Sequence, residues 1–394
     1  MHFGYFLNQS NVGWKKSFTE VVNEGREIAQ YCDRTGWDSI WTTEHHFGHE
    51  GWEVCTNPVI MSTDLAARTE QIRIGQAANI VTFHNPIQLA EDLATLDHMS
   101  GGRLEVGIGR GVYPRESLNL NPIADVRNSD VNRALFAETL EVMKLAWTEE
   151  FFSYKGEYFE YPVPGVSFTH KLSPPLPENT DPETGFVTAL NVLPKPLQTP
   201  HPPMSQVVDT PPSIAAAGTM GLNALFWIPP TDSLIPRFEM FRDAASEAEG
   251  RELALGERCG VLRDMFVTDT MEEAERLAGE HIINYMEWVC HFRGLGNHAY
   301  PGEKIPETED KLELLNYEFL HPRNMLFGTP EFVAEKIHEL KEKLNLDRLL
   351  LWSSFPGIDH GAAMNSIAGF TEQVLPLFSK NPIQVAQQAG AHTA

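Results

Sequence analysis

Apolar positions along the chain alternate between two periods. The stretches HFGYFL (2–7), SIWTTE (39–44), IRIGQAANIV (72–81), LEVGIGRG (104–111), MSQVVDT (204–210), NALFWI (223–228), CGVLRDMFVTD (259–269) and RLLLWSSF (348–355) are nearly continuous apolar runs. That pattern belongs to strands covered on both faces, as in a parallel sheet. Helical periods fill the gaps. Ser17 and Glu20 have capping-box spacing, and Val21, Gly25, Ile28 and Cys32 then recur on one helical face. Pro86 opens a helix over NPIQLAEDLATLDHMS, at a position that tolerates its missing N–H, and Phe136, Leu140, Met143 and Trp147 form one stripe of a helix near 130–147. Eight such strands with intervening helices predict an α/β chain folded as a closed (β/α)8 TIM barrel. The rival is an open doubly wound sheet, because GIGRG resembles a dinucleotide loop. Its glycines at 107, 109 and 111 do not have GxGxxG spacing, and no acidic residue closes a following strand about twenty residues on.

Residues 1–380 are expected to form one barrel domain, with insertions after strands 4 and 7 and a loosely ordered tail at 381–394. The first insertion, 150–203, is rich in proline, aromatic and turn residues and is expected to pack on the barrel. The second, 288–326, is placed to act as a mobile lid, with Gly294, Gly296 and Gly302 as hinges.

Composition narrows the partners. With 30 Lys+Arg against 54 Asp+Glu the formal charge of the 394-residue chain is −24, a field that repels a nucleic-acid backbone. An anionic small ligand therefore needs a local basic pocket. Four separated cysteines form no CxxC pair and suit a reducing cytoplasm. The start MHFGYFLNQS lacks a basic n-region and a long apolar h-region, so no signal peptide is expected, and no apolar run is long enough to span a membrane.

The chemistry concentrates where strands end, because barrel active sites sit at the carboxyl ends of strands. The second strand runs into Glu44, His45 and His46. Neighbouring strand residues point to opposite faces, so one imidazole can face the mouth while the other turns outward. The same alternation disfavours a metal held by both, and HExxH is absent; no metal site is expected. The fourth strand ends Gly109-Arg110-Gly111, which lets a guanidinium fork approach an anion closely, although an inter-strand salt bridge would use the same residue. The fifth ends in DTPPS, where Thr210, Ser213 and the N–H groups of the next helix start could cradle an anion or simply cap the helix.

Several phrases, in order, resemble bacterial luciferase and the luciferase-like flavin monooxygenases: MHFGYFL, GWDSIWTTEHHF, IRIGQAANIV, NPIQLAEDLATLDHMSGGRLEVGIGRG, NSDVNRALFAETLEVMKLAW, FFSYKGEYFEYP, PKPLQTPHPP and FGTPEFVAEKI. The resemblance covers most of 1–230 and returns at 327–380. It implies a cytoplasmic, homodimeric monooxygenase that takes reduced FMN from a separate NAD(P)H-dependent flavin reductase. Such an enzyme uses O2 to oxidise a small organic substrate through a flavin 4a-hydroperoxide. The alternative on the same fold is a deazaflavin-dependent oxidoreductase that transfers hydride. By resemblance, His45 is the catalytic histidine, Arg110 and Arg133 hold the FMN phosphate with Thr210 and Ser213, and Asp209 orients that cradle. Ala77 and Ala78 match a non-proline cis peptide beneath the isoalloxazine, and Glu91 a residue near the ring. Gly109 stands where bacterial luciferase has a reactive cysteine, so hydroxylation, Baeyer–Villiger insertion or C–S or C–N cleavage is expected rather than light emission.

Overall fold

Strand β1 (His2–Leu7) pairs in parallel with β2 (Ser39–Thr42), and β2 with β3 (Arg73–Gln76). The order continues through β4 (Leu104–Gly109), β5 (Met204–Val207), β6 (Asn223–Phe226), β7 (Cys259–Val267) and β8 (Arg348–Trp352). β8 then pairs with β1 in register His2↔Arg348, which closes an eight-stranded parallel barrel. The computed structural model describes residues 1–305 and 314–378, so 306–313 within the second insertion and the tail at 381–394 lie outside the described residues.

The expected elements form for the reasons the pattern gave. The Ser17–Glu20 capping box opens the helix Phe18–Thr35, and Val21, Gly25, Ile28 and Cys32 are its buried stripe. Helix Ser129–Thr148 buries Phe136, Leu140, Met143 and Trp147 against the barrel. Inside the barrel, the amino-terminal end is plugged. Trp41 is fully buried, its Nε1 donates to Ser39 Oγ at 2.8 Å, and Glu105 pairs with both Arg73 and Arg348. This end carries stability, which leaves the opposite end free for chemistry.

Three features differ from expectation. The apolar run 72–81 is two strands, β3 and the pair Asn79–Ile80, separated by a cis peptide between Ala77 and Ala78. Residues 288–326 are not one loop: 288–293 finish the helix Glu280–Arg293, and Tyr317–Asn324 is helical. Met325–Gly328 then forms a further parallel strand on the second half of β7. Finally, 150–203 packs on the barrel only at its ends. Phe152 and Val192 are buried there, whereas Val163, Phe168 and Leu172 stand exposed.

β4 approaches the Ala77–Ala78 segment closely. A Cβ on Gly107 would lie 1.5 Å from the Gln76 carbonyl oxygen, a backbone atom that cannot swing aside. Gly107→Ala is therefore expected to destabilise the fold by at least the ~1–3 kcal/mol typical of overpacking, measured as a fall in the denaturant midpoint.

Candidate active site

The mouth is built from the alternation of β2 carried past its last hydrogen bond. Trp41 fills the barrel interior, and Thr43 and His45 follow on the same face to line a cavity. Thr42, Glu44 and His46 turn the other way. His45 is fixed by its amide, which donates to Cys55 O at 2.8 Å. The cavity floor is Phe6, Leu225, Leu262 and Leu350, and its walls include Ala77, Tyr113, Trp227, Tyr285 and Arg293.

The His45 ring lies between two carboxylates. Nε2 is 3.4 Å from Glu53 Oε1 and Nδ1 is 3.4 Å from Glu116 Oε1, contacts long for hydrogen bonds but close enough for charge pairing. Burial opposes the imidazolium, yet the charges of Glu53 and Glu116 outweigh it and raise His45 to about 8. The carboxylates are themselves anchored. Tyr285 Oη donates to Glu53 Oε1 at 2.8 Å, and the His46 amide donates to Glu116 Oε1 at 2.7 Å. Burial first, and the charge of Glu53 second, push the Tyr113 and Tyr285 phenols up, so both remain neutral hydroxyls at physiological pH.

Glu44 organises the supporting shell from the other face. Its Oε2 accepts the Ile80 amide at 2.6 Å, while Oε1 lies 3.1 Å from His46 Nε2 and 2.8 Å from His84 Nε2. Burial alone would raise its carboxyl; these hydrogen bonds outweigh burial and hold it below the usual range. Glu44 thus ties β2 to the segment that carries Ala77 and Ala78.

The two anion-site strands end side by side, since Ile108 of β4 pairs with Gln206 of β5. Arg110 donates through Nη1 to Asn132 Oδ1 at 2.8 Å, and burial together with the charge of Arg133 holds its guanidinium below the ordinary arginine value. Among the described residues, Arg133 reaches only the exposed Asp130, at 3.3 Å. Two neighbouring guanidiniums with so little compensation suit a dianionic phosphate. A Cβ on Gly109 would lie 3.3 Å from Ala78 Cβ, so the lack of a side chain there keeps this edge of the mouth low. Arg110 and Arg133 could therefore take a phosphate group at this edge of the mouth.

The helix start after β5 fits less well than its position suggested. Pro211 and Pro212 have no N–H, and the Ser213 and Ile214 amides already donate to Thr210 O at 2.9 and 3.0 Å. The Ser213 hydroxyl receives the Asp209 and Thr210 amides and donates to Thr210 O at 2.8 Å. Backbone donors are therefore spent on capping. Asp209 is a hub: it accepts Asn297 Nδ2 at 2.6 Å and lies 3.8 Å from Arg237 and 3.6 Å from Arg293. Glu91 is half-buried on helix Pro86–Met99 and does not line the cavity, so the structure does not bring it to His45. Phe152, Tyr154 and Phe159 of the first insertion pack against the core, whereas Trp227 lines the cavity.

Glu53, Tyr113, Glu116, Tyr285 and Arg293 were missed from the sequence. Tyr113 and Glu116 lie just beyond the Gly-Arg-Gly end of β4, a position that could have flagged them. Tyr285 and Arg293 sit on a helix whose period points to core, with no signal for the mouth.

The chain matches the luciferase-like monooxygenase family over residues 1–347 and belongs to it. It is 24% identical to the oxygenase component of the flavin-dependent trigonelline monooxygenase of Acinetobacter baylyi, with 97% of each chain covered. The oxygenating constituent of 3,6-diketocamphane monooxygenase from Pseudomonas putida, solved with FMN, superposes with a TM-score of 0.75 at 24% identity, covering 95% of this chain and 98% of that one. An F420-dependent secondary alcohol dehydrogenase superposes at 0.64 with 17% identity, covering 96% and 99%. Among the described residues, no helix is long and apolar enough to cross a membrane.

Proposed function

We propose that the chain is the oxygenase component of a two-component, FMN-dependent monooxygenase, working as a homodimer with a separate NAD(P)H-dependent flavin reductase. The observation that carries this reading is His45, held between Glu53 and Glu116 in a largely apolar cavity that Ala77 also lines. Arg110 and Arg133 would hold the flavin phosphate, and Ala77 and Ala78 would support its ring. When bound, reduced FMN supplies the electrons that activate O2. The protein excludes water with Phe6, Leu225, Leu262 and Leu350 and keeps a proton at the His45 imidazole, which it can give to or take from the reacting oxygen.

Mixing the protein with reduced FMN and air separates this reading from its rival. An oxygen-dependent absorbance transient, distinct from free FMN reoxidation, is expected. Hydride transfer to or from a deazaflavin, with no response to O2, would instead select the F420-type reading that the dehydrogenase fold match keeps open.

The raised His45 pKa sets a pH dependence. The imidazole is protonated below about 8 and neutral above it. If it acts as proton donor, turnover falls as pH rises through about 8, and Glu53→Gln moves that limb to lower pH by removing one stabilising charge. A pH–rate profile of both proteins measures it, and a limb unmoved in the variant removes Glu53 from the assignment.

A further inference from the structure

We infer that Arg293 reads an anionic group on the substrate, so the oxidised molecule is a planar apolar body carrying one carboxylate or similar anion. This rests on the monooxygenase reading and names the substrate class of that same site. Arg293 is the last residue of the helix Glu280–Arg293 and the one Lys or Arg side chain that lines the His45 cavity among the described residues. Its guanidinium makes no hydrogen bond to any described residue. The nearest carboxylate oxygen, Asp209 Oδ2, is 3.6 Å away, and the guanidinium carbon sits 6.0 Å from the Trp227 ring centre.

The fork is therefore placed beside Asp209 and Trp227 with no hydrogen bond to a described residue. Asp209 does not neutralise it alone, because Arg237 shares that carboxylate at 3.8 Å: two guanidiniums face one acid. The positive charge reaches the cavity, since it disfavours the imidazolium of His45 and favours the phenolates of Tyr113 and Tyr285. The one carboxylate lining the cavity among the described residues, Glu53, already takes the Tyr285 hydroxyl and faces His45.

The remaining surface specifies the body of the ligand. The floor is aliphatic and phenyl, and the aromatic side chains Tyr113, Trp227 and Tyr285 line the walls. A flat ring fits between such walls, and a planar fork at the rim matches a carboxylate in two-point contact. An uncharged ligand would leave the guanidinium desolvated with only the shared Asp209 carboxylate beside it, which is how a site of this kind disfavours such a ligand.

The test uses the full chain with saturating reduced FMN under anaerobic conditions, titrated calorimetrically with benzoate and with benzamide. Benzoate is expected to bind more tightly by about ten-fold or more, the scale of a hydrogen bond to a charged group. Arg293→Gln is expected to abolish most of that preference while leaving FMN affinity unchanged, and Arg293→Lys to restore part of it. An equal preference in Arg293→Gln, or none in the wild type, overturns the inference. A loss of FMN affinity with the benzoate preference intact also overturns it and moves Arg293 to the cofactor phosphate. Failure of the wild type to bind reduced FMN refutes the monooxygenase reading instead.

Discussion

His45→Ala is expected to lower turnover by about 10²–10⁴-fold, the usual contribution of a positioned acid or base, while the protein still binds FMN. The geometry separates the two effects. His45 lines the cavity from the end of β2, whereas Arg110 stands at the end of β4 and Arg133 on the helix Ser129–Thr148. Loss of the imidazole need not collapse the shell, because Glu53 keeps the Tyr285 hydroxyl and Glu116 keeps the His46 amide. The sign of the linkage adds a second readout. A histidine raised to about 8 contributes stability that is fully present below its unfolded value near 6.5 and is lost as pH rises through about 8. The stability difference between wild type and His45→Ala should shrink over that window, followed by denaturant unfolding at several pH values. His46→Ala should behave differently: Glu44 retains the Ile80 amide and His84, so a modest loss of stability is expected with most turnover kept. Normal single-turnover rates in His45→Ala together with a collapse in His46→Ala would reverse the assignment of the two rings.

The barrel was legible because each wall strand is buried on both faces and must be apolar throughout. A sequence period carries that demand directly, as in RLLLW at β8. The opposite facing of His45 and His46 was legible for a related reason, since side chains alternate along the extended chain beyond the last ladder bond. The partners of His45 were not. Glu53 lies in a loop of irregular backbone, Glu116 sits in the first turn of a short helix beyond β4, and Tyr285 comes from a helix more than two hundred residues later. Only the closure of the barrel brings them together, and no local pattern records it. At the helix start after β5 the sequence left an anion cradle and simple capping both open. Which of the two applies depends on contacts that no spacing records: two prolines remove the first donors and the Ser213 hydroxyl takes up the Asp209 and Thr210 amides.

Arg110→Ala is expected to weaken FMN binding by about 2–5 kcal/mol, the cost of removing one partner of a buried charged contact. That is a change of tens- to thousands-fold in Kd. The expectation rests on the electrostatics of the pair. Arg110 is half-buried with one neutral amide as its side-chain partner, and burial and Arg133 both disfavour its charge. A phosphate dianion reverses both penalties at once, so the interaction is stronger than the same contact at an exposed surface. Arg133 is 34% exposed and keeps Asp130, so Arg133→Ala should cost less. Riboflavin, which lacks the phosphate, distinguishes lost recognition from a damaged fold. Wild type should prefer FMN to riboflavin strongly, and Arg110→Ala should erase most of that preference while binding riboflavin as wild type does. If Arg110→Ala binds both flavins unchanged, the phosphate lies elsewhere; if it loses both equally, Arg110 serves the fold through Asn132 rather than the cofactor.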